Sequence, residues 1–292
     1  MLSLSQNSDN FYFIEWIPSE KGRQVLKYKK IKSLAIQNKF KNFLDDILKD
    51  KHSINESSSL AISLDINNIG ITSIPYDKHL PLQEYVDWYT KKYLGNFINH
   101  EFDLYFYQIY NSNDLLVIYI NKEIKNNILL SCQKHKIDLM HLSIDFFSAN
   151  IMATQVFGAN KHKNYIIWKI GRNNIHYLSY YIESHFAHYM KIKCSKKIEC
   201  VLSVGNNNFK NILLDISKSI LINNKYNQEA QIFIYQNKTS KSKILNIVKL
   251  NKNKIILMDI ASKFLDKKNN KSSQFNLLSF NENGNSLRNI DV

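Results

Sequence analysis

A pattern of three short strands joined by tight turns occurs twice in the chain, and it constrains the fold more than any other feature. It lies at residues 2–31 and again at residues 165–192. Consecutive strands with tight turns between them pair as an antiparallel meander. We interpret the recurrence as an internal duplication and predict two lobes with a cleft between them. Their boundary is expected near Gly158, which follows an apolar helix as a C-cap glycine does.

Between and after the meanders, helical and strand-like periodicities alternate, which is typical of an α/β protein. Helices are predicted over 34–49, 82–94, 122–134, 146–157 and 208–223, and strands over 60–66, 69–74, 102–110, 115–120, 136–145, 231–235 and 254–258. We predict a first lobe over 1–158 and a second lobe over 159–265. Residues 266–292 are rich in Asn, Ser and Lys and are expected to form a flexible tail, in which only the apolar heptad QFNLLSF would dock.

The chain is basic, with 39 Lys and Arg residues against 25 Asp and Glu residues and a net charge of +14. The lysines are scattered, however, and Arg23, Arg172 and Arg288 are the only arginines. Proteins that read bases or clamp phosphates favour Arg for its bidentate fork. We therefore predict a generally basic, solvated surface and treat nucleic-acid binding as a disfavoured alternative.

Cysteine usage and hydropathy favour a cytoplasmic protein. The three cysteines, Cys132, Cys194 and Cys200, form no C-x-x-C spacing and predict neither a disulfide framework nor a zinc site. The first ten residues contain no basic and apolar stretch of the signal-peptide kind. No apolar run approaches the ~20 residues of a membrane span, so direct membrane insertion is not expected.

The residues offer no recognisable catalytic constellation. The phosphate-binding G-x-x-x-x-G-K-[ST] motif and the dinucleotide-binding G-x-G-x-x-G motif are both missing. The densest histidines are His176, His185 and His188, but strand residues three apart face opposite sides and do not share a metal easily. No two of the candidate carboxylates have a recognisable acid/base spacing; these are Asp65, Asp77, Asp103 and Asp145. We expect no metal site and no enzyme.

Two stretches carry a resemblance to a known family. Residues 62–110 place Pro75, Glu84, Trp88 and Tyr93 in a strand, an I-P-led helix and a further strand, and residues 114–150 end in an Asp145-x-x-x-Ala149 helix start. This order resembles the PilM family of type IV pilus assembly and, more distantly, the cytoplasmic domain of the L-type protein of type II secretion. The resemblance covers roughly residues 2–192.

The resemblance implies an actin-like, ribonuclease H-like fold of two lobes, with a subdomain inserted into the first lobe at about 34–145. Actin-like ATPases hold phosphates on two Asp-x-Gly turns, in which Gly admits the phosphate and Asp positions Mg²⁺. Here neither turn has its Asp, and the late adenosine loop has no glycine. The degenerate counterparts of the nucleotide-binding residues are Ser5, Asn7, Lys169, Gly171, Arg172 and Gln236. No cofactor is expected, and ATP with Mg²⁺ would bind only if these loops still function.

The resemblance also implies a scaffold at the inner face of the cell membrane that holds the N-terminal peptide of a bitopic inner-membrane protein. Surplus Trp and Tyr residues are typical of binding anchors, and one helix carries Tyr85, Trp88, Tyr89 and Tyr93. We expect them to line a groove between the N-terminal meander and the insertion. The alternatives are that these rings pack the insertion against its own sheet, that the chain binds ATP weakly, that it self-associates, or that it is an unrelated actin-fold protein.

Overall fold

A computed structural model of the chain describes residues 1–7, 10–19, 22–32, 58–93, 95, 101–222, 229–236, 248, 251, 253–264, 281–284 and 287. The helix predicted at 34–49 lies outside the described residues. The first lobe is built on a five-stranded sheet of order β3-β2-β1-β4-β8. Its strands are β1 (Leu2–Asn7), β2 (Asn10–Ser19), β3 (Gly22–Lys32), β4 (Ser58–Leu64) and β8 (Ile137–Ile144). The first three pair antiparallel, whereas β1, β4 and β8 pair in parallel.

The second lobe repeats this arrangement. Its sheet has the order β12-β11-β10-β9-β13-β14, in which β9, β10 and β11 form the antiparallel meander and β13 and β14 pair in parallel. The strands are β9 (Asn164–Ile170), β10 (Ile175–Ile182), β11 (His185–Cys194), β12 (Ile198–Gly205), β13 (Gln231–Gln236) and β14 (Ile255–Leu257). Two sheets of meander followed by parallel strands, one per lobe, make the actin-like fold that the sequence predicted.

The insertion is a small sheet-and-helix unit between β4 and β8. It consists of β5 (Gly70–Pro75), α1 (Leu82–Tyr93), β6 (Phe102–Gln108), β7 (Asp114–Asn121) and α2 (Lys122–Lys134), and its sheet has the order β5-β7-β6. It is therefore narrower than the expected span of 34–145, because β4 and β8 at its margins belong to the main sheet of the lobe.

Helix α3 (Asp145–Phe157) packs against strands of both lobes. It contacts β1, β4 and β8 of the first sheet and β9 of the second. Ala149 and Ala153 are fully buried, and their small side chains let the helix lie close to both sheets. The helix ends at Gly158 in the left-handed conformation, with φ 73°, so the predicted C-cap is confirmed.

The remaining described helices are α4 (Asn208–Leu221), which covers the outer face of the second sheet, and the short α5 (Ala261–Phe264). Among the described residues, no helix is long and apolar enough to cross a membrane.

The tip of the β6–β7 hairpin of the insertion is tied to the second lobe. The backbone amide of Tyr110 donates to the carbonyl of Phe186 in β11 at 2.7 Å. The side-chain amide of Asn206 donates to the carbonyls of Tyr110 and Asn111 at 3.3 and 3.0 Å. Asn206 also accepts from the backbone amide of Asn208 at the start of α4. One buried side chain therefore caps a helix of the second lobe and holds the insertion.

Replacing Asn206 by Asp separates these two roles, because a carboxylate keeps the helix-capping acceptor and loses the donor to both carbonyls. We expect Asn206→Asp to lower the free energy of unfolding by about 1 kcal/mol, the usual net contribution of a hydrogen bond, because the two carbonyls that lose their donor are only partly buried. Urea denaturation followed by circular dichroism measures it. The matched control is Asn207→Asp, at an exposed neighbour without a side-chain capping bond. Equal stability of the two variants would contradict the proposed tie.

Candidate functional site

The site begins with the alternation of side chains along β9. Ile166 and Trp168 point to the core beneath α4, whereas Tyr165 and Ile167 point to the core shared with the first lobe. Lys169 has the same parity as Tyr165 and Ile167 and lies on the face toward the first lobe, with only 3% of its surface exposed. A lysine is thus carried into the space between the lobes, where an unpaired charge is costly.

Two carboxylates meet the Lys169 ammonium there. Its Nζ lies 2.7 Å from Oδ2 of Asp145, the first residue of α3, and 2.6 Å from Oε1 of Glu282. The side chains of Asp145 and Glu282 are 2% and 0% exposed, so the pairs are shielded from solvent. The Tyr235 hydroxyl on β13 donates to Glu282 Oε1 at 3.1 Å. We call Lys169, Asp145 and Glu282 the interlobe ion cluster.

The cluster contains more negative than positive groups. Burial lowers the pKa of Lys169, but the carboxylates of Asp145, Glu282 and Asp65 outweigh that effect and hold the pKa well above its ordinary value. Burial also raises the pKa of Asp145 and raises that of Glu282 to about 7, against the opposing attraction of Lys169. Lys169 is therefore firmly charged, and the acids of the cluster retain a proton near neutral pH more readily than exposed carboxylates do.

Asp65 extends the polar centre from the end of β4. It is fully buried, and its Oδ1 accepts from the backbone amide and the side-chain amide of Asn67 at 2.8 and 2.6 Å. Asn67 in turn contacts the second lobe, because its Nδ2 donates to the Tyr177 hydroxyl at 3.3 Å and its Oδ1 accepts from Lys191 Nζ at 2.8 Å. Asp65 and Asp145, which the sequence offered only as isolated carboxylates, thus lie in one polar region.

The charged residues of the cluster are paired with one another. The position that the resemblance assigns to a phosphate-loop Asp is a charged lysine, and the carboxylates beside it are engaged by that lysine. In the part of the chain that the structure describes, no three His, Cys, Asp or Glu side chains are placed to share a metal ion. Of the histidines named from the sequence, His176 accepts from the Trp168 indole at 3.1 Å. Burial lowers the pKa of His188 to about 4.

The turn after β9 is held by its own backbone. The Gly171 amide donates to the Ile175 carbonyl at 2.8 Å, and the Ile175 amide donates to the Arg172 carbonyl at 3.0 Å. Asn173 and Asn174 adopt φ of 55° and 57°, the left-handed conformation that Asn tolerates. A Cβ at Gly171 would lie 2.8 Å from the Tyr177 ring and 2.9 Å from the Ile175 carbonyl oxygen. Close packing within the hairpin therefore explains this glycine.

The other predicted nucleotide-loop residues are described in part. Ser5 is fully buried on β1, and its hydroxyl accepts from the side-chain amide of Asn283 at 3.0 Å. Asn7 ends β1 and Gln236 ends β13, but their side chains and the turns that follow them lie outside the described residues. The structure thus brings Ser5 and Lys169 toward residues 281–283, with Gly171 and Arg172 in the adjoining hairpin.

The aromatic residues of α1 form a cluster on the outer side of the insertion. Trp88 and Tyr93 are 51% and 57% exposed, and Lys92 Nζ lies 4.7 Å from the centre of the Trp88 ring. Ring contacts connect Tyr85, Trp88, Tyr89 and Tyr93. The helix packs through Val86 on the face of the small sheet that carries Leu115 and Val117. This is the face opposite to the one that joins the main core, so the four rings do not line a groove toward the meander sheet.

A different set of side chains forms a shallow apolar groove between the insertion and the main sheet, with a cavity volume of only about 20 Å³. As the described strands are ordered, β6 and β8 are the outer strands of their sheets, and the groove runs between them. It is lined mainly by Tyr105, Tyr107, Ile118, Ile120, Leu142 and Phe147. The Tyr107 ring contacts Phe147 of α3 at an interplanar angle of 46°, with ring centres 4.7 Å apart, and Tyr107 is 41% exposed. Alternation along β6 and β7 was visible in the sequence, but it did not reveal which face is directed to the groove.

The functional residue that sequence reasoning missed is Glu282. It falls in the stretch 266–292 that the composition marked as a flexible tail, but Asn281–Gly284 are fully buried and Leu287 is 4% exposed. The expectation of a flexible tail is therefore corrected for these five residues, and the rest of the stretch lies outside the described residues. The apolar heptad QFNLLSF directly before Asn281 was the available signal.

Comparison with known proteins supports the fold. No protein-family model and no curated protein matches the sequence. Among solved structures, the PilM-PilN type IV pilus biogenesis complex contains a chain with a TM-score of 0.59 and 9% identity, over 98% of this chain and 97% of that one. The resemblance to the PilM family is thereby confirmed at the level of the fold.

Two further solved structures are similar at lower scores. A Bacteroides thetaiotaomicron protein with an actin-like ATPase fold gives a TM-score of 0.49 and 12% identity, over 89% of this chain and 91% of that one. The cytoplasmic domain of EpsL from Vibrio cholerae gives a TM-score of 0.43 and 8% identity, over 90% of this chain and 98% of that one.

The ion cluster predicts a pH dependence of stability. The pKa of Glu282 is about 7 in the folded chain against an ordinary value of 4.5, so the folded state binds the proton more tightly than the unfolded state. The resulting stabilisation is complete below pH 4.5 and is lost as the pH rises through about 7. We expect it to amount to roughly 3 kcal/mol at most.

Thermal denaturation between pH 5.5 and 8.5 measures this effect. Glu282→Gln, which imitates the protonated acid, should flatten the pH profile in this range. Glu199→Gln, at an exposed glutamate paired with Lys197 at 3.6 Å, should leave the profile unchanged. Parallel profiles of all three proteins would show that Glu282 does not titrate in this range.

Proposed function

We propose that the chain is a nucleotide-independent scaffold of a type IV pilus-like or type II secretion-like machine. In this role it holds a short cytoplasmic peptide of an inner-membrane partner, at the cytoplasmic face of the membrane. The fold shared with the chain in the PilM-PilN complex supports the setting. The observation that carries the binding role is the apolar groove between β6 and β8, which combines exposed aromatic surface with two outer strands.

The groove suits an extended peptide. An outer strand offers backbone donors and acceptors to an added strand, and apolar pockets beside it select alternate side chains. Tyr107 and Phe147 supply rings that a partner's apolar residues can cover, and the fully buried Val117 packs on the opposite face of β7. The exposed rings of α1 form a second surface of the insertion. Variants of α1 distinguish its contribution to peptide binding from that of the groove.

The interlobe ion cluster supports the absence of ATPase activity. Phosphoryl transfer needs a metal held by free carboxylates and a positioned water or hydroxyl. At this site Lys169 engages both Asp145 and Glu282. Freeing both carboxylates for Mg²⁺ would leave the buried Lys169 ammonium without these two partners, which is strongly unfavourable.

Peptide binding by the groove can be measured directly. Synthetic peptides of about 20 residues from the cytoplasmic N-termini of bitopic inner-membrane proteins, encoded beside this chain, would be titrated by fluorescence anisotropy. We expect one peptide to bind with micromolar affinity, and Tyr107→Ala to weaken it about 10-fold or more, because removal of an aromatic anchor typically costs over 1 kcal/mol.

The control variants are Tyr85→Ala and Tyr89→Ala on α1, which should bind as the wild type does. Loss of affinity in these variants with Tyr107→Ala unaffected would move the site to the outer face of the insertion. No binding by any peptide, or equal affinity in every folded variant, would remove the groove from consideration.

The proposed absence of nucleotide binding can be measured by thermal denaturation. Addition of about 1 mM MgATP should shift the melting temperature by less than about 1 °C, because a dissociation constant above the ligand concentration adds less than ~0.4 kcal/mol of stability. Hydrolysis of ATP should not exceed the background of the buffer. A saturable, Mg²⁺-dependent shift of several degrees, or hydrolysis that disappears in Gly171→Asp, would show that the loops still function.

A further inference from the structure

The described C-terminal residues, Asn281–Gly284 and Leu287, are held by an ion pair, by hydrogen bonds and by close packing. Glu282 pairs with Lys169 on β9 and accepts from Tyr235 on β13, both in the second lobe. The side-chain amide of Asn281 donates to the carbonyl of Met258 at 2.8 Å. All four residues of Asn281–Gly284 are fully buried. Asn281 and Glu282 thus attach these residues to the second lobe.

Asn283 faces the first lobe and is recognised through both ends of its amide. Its Oδ1 and its backbone carbonyl accept from the Ser3 hydroxyl at 2.7 and 3.2 Å, and its Nδ2 donates to the Ser5 hydroxyl at 3.0 Å. Ser3 and Ser5 are neighbours on one face of β1 and are almost completely buried. An amide has one acceptor and one donor end, and this serine pair meets both.

Gly284 lies against α3 where no side chain fits. A Cβ built there would stand 2.1 Å from the Ser148 carbonyl oxygen and 2.6 Å from the Met152 backbone nitrogen. Backbone atoms of a helix interior cannot yield to such contacts without disrupting the helix. Leu287 follows in the shared core at 4% exposure. Glycine is therefore required at this position by close approach.

From these contacts we propose that the interlobe cleft is a peptide-recognition site and that its ligand, bound in cis, is formed by residues 281–284 and 287 of this chain. A carboxylate at Lys169, an amide at the Ser3–Ser5 pair and a glycine against α3 are three independent requirements at successive residues. Such a sequence of requirements is what distinguishes a recognised peptide from a chain end that merely covers apolar surface. The proposal concerns the cleft and does not depend on the groove or its partner.

A nicked chain tests the proposal with the full protein. A specific protease site is inserted within residues 268–273, the purified protein is cut, and native gel filtration asks whether the C-terminal fragment stays bound. We expect the fragment to co-elute with the large piece, at micromolar protein concentration, in the wild type. Asn283→Leu removes the hydrogen bonds to Ser3 and Ser5, and Gly284→Ala adds a Cβ that clashes with the backbone of α3. Each should weaken retention of the fragment about 10-fold or more.

The matched control is Asn207→Leu, the same chemical change at an exposed position, which should retain the fragment as the wild type does. Departure of the fragment from a large piece that stays folded would overturn the proposal. Equal retention in the wild type, Asn283→Leu and Gly284→Ala would overturn it as well.

Amide hydrogen exchange on the uncut chain gives a second readout if the cut protein aggregates. We expect the amides of 282–284 to exchange as slowly as those of β9 and β10, and to exchange faster in Gly284→Ala while β10 and β11 stay protected. Exchange in the wild type as fast as in the Arg172–Asn174 turn would mean that the cleft does not bind the segment.

Discussion

The burial of one lysine ammonium is the constraint on which the arrangement of the two lobes depends. Lys169 reaches the interlobe space because its side chain lies on the same face of β9 as those of Tyr165 and Ile167, which belong to the core shared by the two lobes. A charged group at that depth is tolerated only with partners. Its partners come from the start of α3 and from residue 282, so the ion cluster joins the first lobe, the second lobe and the end of the chain at one point. A change at Lys169 therefore affects contacts in the first lobe, in the second lobe and at Glu282 together.

The sequence predicted the architecture from local signals and missed what arises from distant ones. Turn residues and strand periodicity identified both meanders, and the structure repeats the same strand order in each lobe, with β12 added at the edge of the second sheet. The bounds of the insertion were harder to predict from the sequence. The reason is that β4 pairs in parallel with β1 and β8, and parallel partners have no tight turn between them in the sequence. Glu282 was missed for a related reason. Its partners lie on β9 and β13, and composition, which described residues 266–292 as a tail, contains no information on such contacts.

The aromatic residues of the insertion show how a correct observation can lead to the wrong face. The sequence identified α1 and its rings, and the structure leaves Trp88 and Tyr93 half exposed. Three strands with apolar residues on both faces have two surfaces to cover, however, and periodicity does not say which of them faces the rest of the lobe. The structure assigns α1 to the face of Leu115 and Val117, and the face of Ile118 and Ile120 to the groove. The choice is made by packing against β8 and α3, which no window of local sequence contains.

Several ties between the lobes bear on the nucleotide-independent role proposed above. In folds of this class the cleft joins two bodies that a ligand can draw together, and a ligand shifts the balance only by its different affinity for the open and closed forms. Here the hairpin tip at Tyr110 is bonded to β11, Asn67 reaches Tyr177 and Lys191, and residues 281–284 connect β1 with β9. All these contacts belong to the chain itself, and they hold the two lobes together in the described arrangement. In the proposed scaffold role, the groove beside β6 and β8 would keep one shape whatever the nucleotide supply, and a partner peptide would meet a site that is already formed.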